Sequence, residues 1–251
     1  MKLYHYTSID SFEKIWESKS LKFSVSKTTN DSFERNKCLK LTRNTFSSKK
    51  EGKAIEAFFH SVFHEIESYR QISLTKDYET LKGFASPMMW GQYARTKTRN
   101  NTWKDGVCIE LESSKIERPT NSFFEGDVTY DENVPMPLIE GIDPLQSDAA
   151  ERFVILNQKL LFFSKHKHWE HENEYRIVCK GVEFLDISKA ITGIYTLENS
   201  KAFTEVKELV TDEALLYFLR QDGMVNYHLT ATNLKLINSF INLFCATETE
   251  H

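Results

Sequence analysis

The chain has 251 residues, 40% of them hydrophobic, with a net charge of −4, and a chain this long can bury roughly 70–75% of its unfolded surface in one large core. The start, Met1-Lys2-Leu3-Tyr4-His5, has no stretch apolar enough for a secretory leader, and no run approaches the roughly 18–20 apolar residues of a membrane span. Cys38, Cys108, Cys179 and Cys245 lie far apart and form no Cys-x-x-Cys pair, so the expectation is a soluble cytoplasmic protein with reduced thiols and no membrane partner.

The elements follow in chain order. Lys2–Tyr6 alternates like a short strand, and Thr7 or Ser8 can cap a helix carrying Ile9, Phe12, Ile15 and Trp16 on one face. A second strand is predicted over 21–26. Ile55, Phe58, Phe59, Val62, Phe63 and Ile66 recur at helical spacing and predict a helix over 51–69. Strand over 71–75, helix over 87–94 and strand over 106–111 come next. Four of the five prolines fall between 119 and 144, which marks a loop-rich excursion over about 113–145 inside a single domain, 1–251. Beyond it the pattern predicts a helix over 147–164 and a strand over 174–179. A strand near 191–196, helices near 200–209 and 212–220, a short strand at 225–229 and a last helix at about 231–245 complete the chain. Strands and helices alternate without regularity, which predicts an α+β fold rather than a doubly wound one.

Charge is unevenly spread. Residues 1–110 hold 19 Lys/Arg against 13 Asp/Glu, so the remainder carries −10. Arg35 to Lys53 and Arg95-Thr96-Lys97-Thr98-Arg99 through Lys104 are the basic stretches, and Trp103 interleaves with the second. Solvated faces account for such runs, and so does attraction of a polyanion. Neither Gly-x-Gly-x-x-Gly nor Gly-x-x-x-x-Gly-Lys-Ser/Thr occurs, and Gly-x-Ser-x-Gly and His-Glu-x-x-His are missing too. A nucleotide, if bound, is therefore held by another architecture.

Residues 165–176 concentrate the chemistry. In a strand Glu172, Glu174 and Arg176 share one side, and two carboxylates so close raise each other's pKa unless a cation such as Arg176 intervenes. The same spacing also describes a half-exposed Glu–Arg ladder with no role in chemistry. His166, His168 and His171 stand near three glutamates, but their irregular spacing argues against a metal site. His60 and His64 read as helix residues, and His5, between Tyr4 and Tyr6, as a hydrogen-bonded core residue or a ligand contact.

Several segments occur in one order: Tyr4-His5-Tyr6-Thr7-Ser8; Asn30-Asp31-Ser32-Phe33-Glu34; Met89-Trp90-Gly91-Gln92-Tyr93-Ala94; Gly106-Val107-Cys108-Ile109; Val128-Thr129-Tyr130; and Lys165 with Trp169, Glu172, Glu174 and Arg176. Together they resemble the bacterial domain-of-unknown-function family 2971. Ser32 stands where that family usually has Pro, and the basic stretch 95–104 lengthens the link after Ala94. More distantly the series resembles ADP-ribosyltransferases, which implies a mixed, mainly antiparallel central sheet with surrounding helices. It also implies NAD as substrate, with Glu174, Glu172 and His5 as catalytic residues and Tyr4, Tyr6, Ser24, Trp90, Tyr93 and Arg176 around the dinucleotide. Glu174 would hold the nicotinamide-ribose hydroxyl, Glu172 the nucleophile and His5 the adenosine ribose, with Tyr6 or Tyr93 stacked on nicotinamide. The expected partner is a macromolecular acceptor, nucleic acid or protein, together with an antitoxin or defence partner. Two alternatives stand beside this expectation: a nucleic-acid-binding or nucleic-acid-processing module working through 95–104, and a non-catalytic interaction protein.

Overall fold

The computed structural model describes residues 1–25, 49–118, 123–134, 137, 142–198, 200–222 and 228–238. They form two compact units, each discontinuous in sequence: Met1–Leu21, Leu74–Glu117 and Asp186–His251 make the first, Lys22–Ser73 and Arg118–Leu185 the second. The α+β expectation holds, with a mixed, mainly antiparallel sheet.

In the first unit, β1 (Lys2–Thr7) pairs antiparallel with β7 (Val107–Glu112), putting Tyr4 opposite Glu110 and His5 opposite Ile109. Residues 74–76 of β4 (Tyr69–Lys76) supply its other neighbour, with Tyr4 opposite Thr75. β7 also pairs antiparallel with β13 (Ile191–Leu197), and β13 pairs parallel with β14 (Leu216–Asp222). A helix over Lys201–Leu209 makes the crossover that a parallel pair requires. β14 closes against β15 (His228–Asn233). Helix α1 (Ile9–Ser18) is capped by Ser8, whose hydroxyl accepts from the Ser11 amide at 3.3 Å, and Trp16 donates to the Leu209 carbonyl at 3.0 Å.

The second unit is built on helix α2 (Lys49–Ser68), whose Phe58, Phe59, Val62 and Ile66 pack against Phe153, Val154, Leu161 and Phe162. Helices α3 (Ala149–Leu156) and α4 (Gln158–Phe162) carry the latter set. The sequence pattern predicts one helix there. The helix breaks at Asn157, whose side-chain amide joins its own backbone amide on the Phe153 carbonyl, both at 3.0 Å. β11 (Glu174–Lys180) pairs antiparallel with β8 (Phe123–Asp127).

Three expectations are corrected. The helix foreseen at 212–220 is a single 3₁₀ turn, Glu213–Leu215, followed by β14, because pairing on both edges outweighs a short apolar spacing that suited either state. The last helix does not begin at 231, since β15 runs to Asn233; residues 234–238 are helical. Stretch 95–104 is a β-hairpin, not a loop: β5 (Arg95–Lys97) pairs with β6 (Trp103–Asp105). Asn30, Asp31, Ser32, Glu34, Ser26, Cys38, Cys245 and residues 35–48 of the first basic stretch lie outside the described residues.

Gly106 shows why one backbone position admits no side chain. Its amide donates to the Ala94 carbonyl at 2.6 Å, and a Cβ there would strike the Thr7 carbonyl. Gly106→Ala should therefore cost about 1–3 kcal/mol of stability through forced backbone displacement, read as a lowered urea midpoint with an unchanged denaturant slope.

Candidate functional site

The strongest polar centre lies wholly in the second unit. Lys165, Glu172, Glu174 and Arg176 are each under a tenth exposed, Arg176 at 0%. The Lys165 ammonium lies 2.6 Å from Glu172 Oε2 and 2.9 Å from Glu174 Oε2. Arg176 grips Glu174 with a two-pronged fork, Nε to Oε1 at 2.6 Å and Nη2 to Oε2 at 2.8 Å. Its Nη1 donates to the Phe162 carbonyl at 2.5 Å and reaches Gln71 Oε1 at 3.4 Å. Two anions and two cations make the quartet neutral, which is what allows ionised groups to remain so far from water.

Local structure sets this geometry. Lys165 sits on β10 (Ser164–His166), which runs parallel to β9 (Thr129–Asp131). A 3₁₀ turn, Lys167–Glu172, then reverses the chain. Asn173 follows at φ 41°, a left-handed conformation that asparagine tolerates better than most residues. Glu172 therefore belongs to the turn and not to the strand as the alternation implied, and only Glu174 and Arg176 are successive inward positions of β11. Tyr130 locks the junction, its hydroxyl accepting from the Glu174 amide at 2.8 Å. Burial pushes the Tyr130 phenol above its ordinary range.

Burial alone would raise the Glu174 pKa. The charges of Arg176 and then Lys165 outweigh it, and the carboxyl is held at about 2 against an ordinary 4.5. The Ser73 side chain adds to this lowering. It lies on β4 between buried Gln71 and Thr75, yet is itself exposed. Side chains two apart on a strand share a face, so an exposed serine between two buried residues marks the place where solvent reaches the edge of this centre. Sequence reasoning found Glu172, Glu174 and Arg176 but missed Ser73, Gln71 and the bridging of both carboxylates by Lys165. The signal for Ser73 was present in the alternation of 71–75.

The other expected residues separate. Ser24 is on β3 (Ser24–Val25) in the second unit, exposed and paired in register with Gln71. Tyr4, Tyr6 and Trp90 are core residues of the first unit, packed with Met89, Cys108 and Tyr195. Tyr6 and Trp90 meet edge to face at 5.4 Å, and the Tyr6 hydroxyl donates to the Gly83 carbonyl at 2.5 Å. Their rings are committed to one another, whereas Tyr93 is half-buried. His5 faces the opposite side of β1 from Tyr4 and Tyr6, so no ligand lying on one face touches all three. Glu110, not foreseen as a site residue, gathers Lys2, Thr192 and the Tyr195 hydroxyl, each at 2.8 Å. Among the histidines, the His166 ring accepts from the His168 amide at 3.3 Å, a turn-capping role.

An α+β chain with a buried carboxylate–cation centre on a sheet strand is thus defined. Residues 89–177 match the family described as "Protein of unknown function (DUF2971)", which bears out the family resemblance over that stretch. The match takes in Trp90, Tyr93, Tyr130 and the whole of Lys165 to Arg176. No curated protein and no solved structure matches the chain.

Two outcomes follow from the quartet. Arg176→Met should destabilise by about 3–5 kcal/mol, because Glu174 would keep a buried charge with half its partners gone. Arg176→Lys should not restore the loss, since an ammonium cannot reproduce the fork; equilibrium urea unfolding of the three proteins measures both. Glu174 also links stability to pH. Its folded pKa is depressed, so its contribution is complete above about 4.5 and lost as pH falls toward about 2. The acid limb of stability should therefore be shallower in Glu174→Gln than in wild type across that interval.

Proposed function

We propose that the chain is an ADP-ribosyltransferase-like enzyme that takes NAD as substrate and passes ADP-ribose to a macromolecular acceptor. The observation that supports this reading is Glu174, a carboxylate held ionised beside Glu172, with the exposed Ser73 side chain adding to the lowering of its pKa. Cleavage of a nicotinamide glycosidic bond leaves positive charge on the anomeric carbon. A fixed anion stabilises that charge without having to be deprotonated first.

In the proposed step the anomeric C–N bond breaks and its electron pair leaves with nicotinamide, which departs neutral. The acceptor's nucleophilic atom bonds the anomeric carbon, and its proton passes to Glu172 or to water. Glu174 holds the ribose hydroxyl from the Ser73 side, and Lys165, which bridges both carboxylates, gives up one contact when the hydroxyl enters. Arg176 acts as a positioning residue for Glu174. A site for NAD built without a glycine-rich loop agrees with the absence of that motif from the sequence.

Nicotinamide release from NAD, measured with purified protein and cell lysate as the acceptor source, tests the reading. Wild type should release nicotinamide, and Glu174→Gln should not. Ser73→Ala, an exposed substitution that leaves the quartet's charges in place, should slow release about 10–100-fold, the worth of one hydrogen bond to a charged group. If wild type neither binds NAD nor releases nicotinamide, the transferase reading is wrong.

A further inference from the structure

The β5–β6 hairpin of the first unit takes no part in the centre described above, and its construction is unusual for a surface turn. In the ladder Arg95 opposes Asp105, Thr96 opposes Lys104 and Lys97 opposes Trp103. Directly opposed side chains lie on the same face, so Arg95, Lys97, Trp103 and Asp105 share one side while Thr96 and Lys104 share the other. The second side anchors the hairpin, because Lys104 pairs with Glu205 at 2.8 Å and with Asp10 at 3.4 Å. The first side is open.

On that open side Trp103 is 57% exposed, a large apolar ring left to solvent. The Arg95 guanidinium lies 5.1 Å from its centroid and 3.5 Å from Asp105, which fixes the indole as a plane. Lys97 and Arg99 make no ion pair or side-chain hydrogen bond among the described residues. The connection between the strands is stiff: the Thr98 amide donates to the Thr102 carbonyl at 2.8 Å, and the two threonine hydroxyls meet at 2.7 Å. Asn101 completes the reversal at φ 63°. Four cations and one acid thus stand on a rigid projection of eleven residues, 95–105, with one exposed aromatic plane among them.

We infer that this hairpin binds single-stranded nucleic acid, Trp103 stacking on an unpaired base while Lys97, Arg99 and Arg95 hold the flanking phosphates. Phosphates complement the uncompensated cations. A flat ring beside them is what a base's π-face requires and what an acidic peptide has no use for. A duplex hides its base faces within the stack, which restricts the ligand to unpaired strands. The inference stands apart from the NAD reading and survives its failure.

Fluorescence anisotropy of the full chain with a labelled short single-stranded oligonucleotide, as DNA and as RNA, and with the corresponding duplex decides the matter. Binding of either single strand in preference to the duplex is expected. Trp103→Ala should weaken it about tenfold while Trp103→Phe retains most of it. Lys97→Ala/Arg99→Ala should reduce the slope of log affinity against log salt by about 1.4. All three substitutions are on exposed side chains, so folding is not at stake. Absence of single-strand binding at low salt overturns the inference, as does an affinity unchanged in Trp103→Ala or equal affinity for duplex.

Discussion

Arg176 is a guanidinium with no exposure at all, and a buried cation of that size persists only where every donor has somewhere to go. Its fork is closed by Glu174, and its remaining amino group is taken by the Phe162 carbonyl and Gln71. That single arrangement ties the start of β11 to the end of helix α4 and to β4. Lys165 then adds β10 and the 3₁₀ turn through Glu172. Five elements of the second unit are held together by one neutral cluster, so removing any member leaves an uncompensated charge in apolar surroundings.

The same neutrality shapes what the cluster can do. A carboxylate raised toward neutrality by burial would serve as an acid; one held down by two cations is a permanent anion, suited to opposing positive charge rather than to giving up a proton. The pairing foreseen for a catalytically silent protein is indeed found, but the open surface that went with it is not. Ser73 makes the difference between a sealed structural centre and one with an approach from solvent.

In the first unit, apolar and aromatic packing predominates. Tyr4, Tyr6, Trp90 and Tyr195 pack around Cys108, whose thiol burial pushes well above its ordinary range. Burial likewise raises the Tyr195 phenol, which donates to Glu110. The hairpin at 95–105 departs from this pattern, since it leaves a tryptophan outside while polar anchors on its other face pin it in place. Exposure of a large ring is costly where burial is available, and here the Trp103 ring lies instead against the Arg95 guanidinium, 5.1 Å from its centroid.

The sequence by itself determined the elements whose apolar period is long or whose caps are explicit. β1, the Ser8-capped helix, the helix over Lys49–Ser68 and the strand at 107–112 all stood in the alternation or in the 3.6-residue repeat. It also marked Glu172, Glu174 and Arg176, because charges two apart before a β-branched run are conspicuous. What it could not determine was the partner of each charge. Lys165 is seven residues from Glu172, and Gln71 is about a hundred residues from Arg176; the 3₁₀ turn brings the first pair within hydrogen-bond reach, and the adjacency of β4 and β11 brings the second. The short segment 216–222 tells the same story, for its spacing fitted helix and strand alike, and hydrogen bonds to β13 and β15 chose the strand. Periodicity is a property of one segment and is legible there, whereas burial and ion pairing are properties of two or more segments, and only the tertiary structure decides them.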